Sequence, residues 1–394
     1  MDTVKDMLFT LLRSGLKGET VTVGEPFPFE EIVGEATRHG VENILFYGLR
    51  AAGFTVKDPR MKALLHTVGE SIFVNENQVA TANSVCEAFE KNGIAYMPLK
   101  GLVLRDMYPA AEMRTMGDVD ILIKTEQYPA ICEILRSLGF TSVLESVYEL
   151  VWQKDGVLYL ELHKSLFPTY DTDFYAEFGD GWDRAARQGD TCRYALSLED
   201  TFVYLLTHFA KHYLDGGIGF RHLADLWVYL QAHPDLDTAR MLPVLERLHL
   251  RAFYENVVYA LSVWMEDAPI TPAAAAILHT VWASGVYGTA EDHRIAGAER
   301  HTVTSASQMK RRHFLSFMFP PFELMSYAYP VLKKAPFLLP FVYIWRFITK
   351  ALLRPKQVLQ RSKDVITVTE DDVKNRQEAL RLVGLLPAAD RKYV

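Results

Sequence analysis

The sequence predicts an α+β protein, a small mixed sheet with flanking helices joined to a helical module. Three observations carry that prediction. The first ninety or so residues place apolar side chains at helical spacing, positions 94–163 switch to short apolar runs bounded by turn residues, and helical spacing returns from Leu198 to about Ala283. The 394 residues are 49% apolar and 23% charged, a globular composition that excludes a disordered tail, a collagen-like fibre and a multi-span membrane protein.

Taken in order, helices are expected over 3–16, 29–39 and 60–91, the last closed by Asn92-Gly93. This N-terminal region, 1–93, reads as scaffold. Residues 94–99 have strand character, 101–108 make one or two helical turns, and 119–123 form a buried strand between Asp118 and Lys124. A helix over 126–138 stops at Gly139, and two extended segments, 141–153 and 157–163, flank the turn Lys154-Asp155-Gly156. Together they make a mixed sheet of about four strands within a domain spanning 94–197. Residues 198–213, 220–232 and 242–264 are the clearest helices of a module over 198–284. Residues 285–308 are polar and read as linker, and the tail, 367–394, holds one polar helix.

Chemistry concentrates at Gly117-Asp118-Val119-Asp120. Alternation along a strand turns Asp118 and Asp120 to one face and Val119 and Ile121 to the other. Two adjacent carboxylates repel unless a cation lies between them, and Mg²⁺ or Mn²⁺ takes oxygen ligands from such a pair while keeping positions for phosphate. A two-metal phosphoryl site needs one more acid. Glu161, framed by Leu160 and Leu162, supplies it as third ligand or as base. The competing structural account makes the Asp pair a strand-edge turn and Glu161 an exposed strand acid.

These residues resemble the DNA polymerase beta-like nucleotidyltransferase superfamily. Within it, Leu99-Lys100-Gly101, Tyr108-Pro109, Arg114, Gly117-Asp118-Val119-Asp120 and Glu161-Leu162-His163 are similar to the bacterial uncharacterised nucleotidyltransferases. A looser likeness runs on to His208, Arg221 and Asp225, and to a Pro- and aromatic-rich stretch at 319–346. The resemblance implies a polymerase beta-like mixed sheet and transfer of a nucleoside monophosphate from an NTP; in that reaction pyrophosphate is released and the acceptor carries a hydroxyl, its identity staying open between a sugar, a lipid-linked sugar, a small molecule and a protein. The sequence departs from the superfamily at the phosphate turn, where Leu102 follows Gly101 in place of Ser or Gly. Gly101 and Gly117 would let backbone approach phosphate, with Lys100 and Arg114 neutralising the triphosphate. For Lys100 a solvated surface position, and for Arg114 an ion pair with Glu112 or Asp118, stay open.

His163 shares the face of Glu161 and either orients it, touches the acceptor or is a structural imidazole. His208 and His212 have i, i+4 spacing, but Phe209 stands where a zinc protease pattern needs Glu, so His208 and Arg221 are read as substrate wall, with Arg221 pairing Asp225.

Net charge is −7, unevenly spread: residues 310–363 hold eleven Lys/Arg against one acid, Glu323. Eleven aromatics fall between Phe314 and Phe347, and the 14-residue apolar run 335–348 is shorter than the roughly 20 residues a membrane span needs. Linker and segment, 285–366, therefore suit a peripheral contact with an anionic membrane, with a packed subdomain as the alternative. The acidic catalytic half disfavours nucleic acid. Three cysteines without short spacing and an acidic N-terminus suit the cytoplasm, at the inner face of the membrane. The alternative function is a non-catalytic nucleotide-binding or membrane-associated scaffold.

Overall fold

The computed structural model describes residues 3–146, 148–155, 158–286, 288–300, 331–353 and 369–386, with single positions between 319 and 329. Helices α1 (Thr3–Lys17), α2 (Phe29–His39) and α3 (Glu42–Ala51) pack together, and α4 (Pro59–Lys91) follows. Asp58 caps α4 by accepting the Arg60 N–H, and Pro59 occupies the first turn, where its missing donor costs nothing. At 33 residues, α4 is about 50 Å long. Its first half (Met61, Leu64, Val68) packs into the helical core and its second half (Ala82, Val85, Phe89) into the core beneath the sheet.

The sheet is built from β1 (Tyr96–Pro98), β2 (Val119–Ile123), β3 (Thr141–Glu145), β4 (Glu149–Lys154) and β5 (Leu158–His163), in the order β1-β2-β5-β4-β3. Only β2 and β5 pair in parallel; the other neighbours are antiparallel. Helix α5 (Gly101–Leu104) and two 3-10 turns join β1 to β2, and α6 (Tyr128–Ser137) covers the sheet's apolar face. There, Val119, Ile121, Leu160, Leu150 and Trp152 meet Phe89, Ile131 and Leu135. The fold is thus the expected α+β mixed sheet, with one strand more than expected. The segment 141–153 is two strands, because Ser146 Oγ accepts the N–H groups of Tyr148 (3.2 Å) and Glu149 (2.8 Å) and turns the chain between β3 and β4.

A short helix α7 (Thr172–Phe178) and a two-stranded ribbon, β6 (Ala185–Arg187) with β7 (Tyr194–Leu196), lead to the helical module. This comprises α8 (Leu198–Asp215), α9 (Phe220–Ala232), α10 (Thr238–Arg247), α11 (Arg251–Glu266), α12 (Pro272–Ser284) and α13 (Ala290–Arg300). The expected helix over 242–264 is interrupted, since His249 adopts φ +55° and ends α10. The expected linker from Gly285 contains α13. Helices α1–α3 share one core with α8–α12: Phe9 lies edge-on to Phe220 (centroids 4.6 Å) and accepts the Trp264 indole N–H (3.1 Å).

Of the basic aromatic segment 310–363, most positions up to 330 and those from 354 lie outside the described residues. The described part holds α14 (Val331–Lys334) and α15 (Leu339–Leu353). The last helix among the described residues, α16 (Glu370–Val383), starts with a Thr369/Asp372 capping box and buries Leu380 and Val383 on the helical module, as does Leu385 just beyond it. No helix of the described residues is long and apolar enough to cross a membrane.

Candidate active site

Strand β2 carries its acids at the middle of the sheet because β5 runs beside it. In the parallel register Asp120 lies opposite Glu161 and Leu122 opposite His163. The odd positions of β2 go to the apolar core, so Asp120, and Asp118 just before the strand, face the other way. They open onto a cleft of about 710 Å³ between this face and helices α8 and α9.

Asp120, only 3% exposed, accepts Lys100 Nζ at 2.7 Å and contacts His163 Nε2 at 2.6 Å, both on Oδ1. Burial opposes its ionisation, but the Lys100 ammonium and the His163 bond outweigh it and hold this carboxyl well below the usual range. Its neighbours shift the other way. Burial, then Asp118 and Asp120, push Glu161 up to about 8, and burial with the Asp120 charge raises Asp118. Three crowded carboxyls, one favoured and two disfavoured in their ionised forms, are an arrangement that a divalent cation relieves. Donor atoms of Asp120, Glu161 and His163 all lie within 4.8 Å of one another. Those three side chains fit a divalent cation, two carboxylates and an imidazole; Asp118 lines the same cleft but is not among the gathered ligand atoms.

Lys100 reaches Asp120 from a backbone with φ +43°, a conformation that costs a non-glycine residue energy and is held here by the bond from Leu99 N–H to the Asp120 carbonyl (3.0 Å). A Cβ on Gly101 would meet Met116 Sδ at 2.8 Å and Arg114 Nη1 at 3.3 Å, so packing of the motif loop accounts for this glycine. Gly117 is exposed beside the cleft, its carbonyl accepting Gln78 Nε2 at 3.3 Å. Asn75, also on α4, accepts the Met116 N–H (3.1 Å), so the helix read as plain scaffold latches the motif loop.

Arg114 lines the cleft, but its guanidinium forms a buried two-pronged pair with Asp225 of α9 (3.0 and 2.9 Å). Tyr108 donates to the same carboxylate at 2.7 Å. The partner is therefore neither of the two acids considered from the sequence. Asp225, expected to pair with Arg221, is the anchor that ties the motif loop to the helical module. His208 and Arg221 do line the cleft, as does Lys211. His208 and His212 touch through their Nε2 atoms at 3.0 Å, and the His222 ring centroid lies 6.1 and 5.8 Å from theirs. Sequence spacing gave the first two imidazoles; His222 was legible only as the neighbour of Arg221. His293, also on the lining, sits in the stretch read as linker.

A family model described as uncharacterised nucleotidyltransferase matches residues 25–266, which takes in both strands, the motif loop and α8–α9. No curated protein and no solved structure matches the chain.

Proposed function

The chain belongs to the uncharacterised nucleotidyltransferase family, and from that membership we propose that it is a cation-dependent enzyme moving a nucleoside monophosphate from an NTP to a hydroxyl. The observation that carries this reading is the register that sets Asp120 beside Glu161, with Asp118 on the same cleft. Mg²⁺ or Mn²⁺, held by Asp118, Asp120 and Glu161, would supply charge neutralisation at the α-phosphate. The acceptor oxygen bonds to the α-phosphorus, the bond to the bridging oxygen breaks, and pyrophosphate leaves. In this reading Glu161 either takes the hydroxyl proton or completes the oxygen shell. His163 and Lys100 fix the Asp120 carboxylate.

The proposal is tested by calorimetric titration of ATP, GTP, CTP and UTP with Mg²⁺ into the full chain and into Asp118→Asn/Asp120→Asn. One nucleotide should bind only with the cation and lose at least about tenfold in affinity in the double variant. Binding indifferent to both cation and acids would leave a nucleotide-binding scaffold.

An anionic membrane surface is the proposed partner of the C-terminal region. On α15, Phe341 (67% exposed), Ile344 (59%), Trp345 (61%) and Ile348 (44%) form one stripe at helical spacing, and exposed Lys334 precedes them. This supports a lipid-linked or envelope-sugar acceptor. Phe341→Ser/Trp345→Ser should abolish flotation with phosphatidylglycerol-containing vesicles; unchanged flotation would remove this partner.

A further inference from the structure

We infer that the face of the cleft built by α8 and α9, where His208, His212 and His222 gather beside Leu205 and Leu226, is the subsite for the nucleobase. The inference rests on the transfer reading above and deepens it by naming what the helical wall holds.

Helical spacing makes this face. Leu205, His208 and His212 recur at i, i+3 and i+7 on α8, His222 and Leu226 at i and i+4 on α9, and all of them line the cleft. The His208 and His212 ring centroids are 4.4 Å apart, and the His222 ring is tilted by 33° and 39° to theirs. The turn between the helices fixes this grouping. Gly216 and Gly217, at φ +128° and +129°, both give their N–H to the His212 carbonyl and bring α9 back against α8. A metal does not account for the trio: among the described residues, the group that gathers three ligand atoms is Asp120, Glu161 and His163. Lys211, Asp215 and Arg221, on the same wall, hold interactions of their own and keep them in this assignment.

The protons on the imidazoles decide what the wall can recognise. His208 and His212 meet through their Nε2 atoms at 3.0 Å, so one of the two atoms donates and the other accepts. Both rings are neutral near pH 7, because burial first, and then the charge of Lys100 on His208 and of Lys211 on His212, opposes protonation. A neutral imidazole carries one proton. The ring that donates from Nε2 therefore has a bare Nδ1, and the ring that accepts carries its proton on Nδ1. Among the described residues no hydrogen bond engages either Nδ1. The pair thus offers one donor and one acceptor, with the His222 ring and two leucines beside them as stacking and apolar surface. The nucleobase is the part of an NTP that matches, a flat ring whose edge sets donors next to acceptors. Phosphate oxygens match poorly, since the bare Nδ1 repels them, and they belong with the cation at the acids across the cleft.

The test is calorimetry on the full chain with Mg²⁺, comparing ATP, GTP, CTP and UTP with inorganic tripolyphosphate, which has no base. The NTP that wild type binds best should bind at least about tenfold tighter than tripolyphosphate. His208→Phe/His212→Phe keeps two aromatic rings and loses the donor and acceptor, and His222→Leu loses a ring. Each should shrink that ratio by at least about threefold while tripolyphosphate affinity stays within about twofold of wild type. His222→Leu carries the test if the melting temperature shows the double variant to be unfolded. A ratio unchanged in both variants, an equal loss for NTP and tripolyphosphate, or a wild type that binds tripolyphosphate as tightly as every NTP would overturn the subsite. Failure of the transfer reading looks different: the ratio would still depend on the histidines, while Mg²⁺-dependent NTP binding would be the same in Asp118→Asn/Asp120→Asn as in wild type.

Discussion

Asp120 takes both of its close partners on a single oxygen, so the orientation of this carboxylate, a metal ligand in the proposed reaction, depends on His163 and Lys100 together. Groups one bond behind a metal ligand typically change affinity by about 10–100-fold when removed. His163→Ala should therefore weaken Mg²⁺-dependent nucleotide binding by about tenfold, with His163→Gln recovering part of it through a side-chain N–H; equal affinity in His163→Ala, measured by titration, would make the imidazole merely structural. The Arg114–Asp225 pair has a different role. Both side chains are buried, at 7% and 6% exposure, and removing one partner of such a pair strands a charge at a cost of about 3–5 kcal/mol. Asp225→Asn should show that loss in urea unfolding, and Arg114→Met/Asp225→Leu should recover much of it. The acids of the floor were legible because strand alternation is local. The partner of Arg114 was not, since the two residues are 111 positions apart and only the tertiary fold brings α9 to the motif loop.

Elements were legible where caps and turns carry their usual residues. Helix α4 begins at Asp58-Pro59, and β2 is flanked by charges, so both boundaries fell where the sequence put them. Helix α3 was missed because its cap position is Val41, whose side chain caps nothing, and α10 and α11 were merged because the residue with positive φ between them is His249 where a glycine is usual. Packing between elements was invisible for a similar reason. A Cβ on Gly48 would sit 2.0 Å from the Leu11 carbonyl oxygen, and one on Gly15 2.5 Å from that of Ile44, so α1 and α3 touch backbone to backbone through these two glycines. Gly48→Ala should force the helices apart and cost about 1–3 kcal/mol. Gly34→Ala, in α2 with nothing within 4 Å of the new methyl, should instead gain about 0.5–1 kcal/mol from helix propensity. Thermal melts of the two variants should move in opposite directions; a shared direction would refute the close contact.

At the scale of the molecule, the N-terminal helices, the helical module and α16 close on one core, and that core contains imidazoles kept neutral. His39, fully buried between Phe220 (4.9 Å) and Trp282 (5.7 Å), is pushed down to about 3 by burial and then by Arg38, and burial likewise takes His212 down to about 3 and His208 and His222 well below the ordinary value. Above pH 6.5 such a histidine is neutral in both folded and unfolded chains and its contribution is fully present. As pH falls from 6.5 towards 3 the unfolded chain takes up protons that the folded one refuses, and stability is lost. One unit below the unfolded pKa each such group costs about 1.4 kcal/mol. Glu161 acts in the opposite sense, because its folded pKa of about 8 lies above its unfolded value of 4.5 and the folded state is the one that gains protons as pH falls through that window. The wild-type acid limb is therefore shallower than the histidines alone would make it, and a difference measurement is needed to see one of them. His39→Phe keeps an aromatic ring between Phe220 and Trp282 and removes the titration. Urea midpoints followed from pH 7.5 to 5.5 should fall less steeply in the variant than in wild type, with the gap opening below pH 6.5. Parallel limbs would mean that His39 takes up its proton in the folded chain, and that the seam joining α2, α9 and α12 is open enough to solvate an imidazolium.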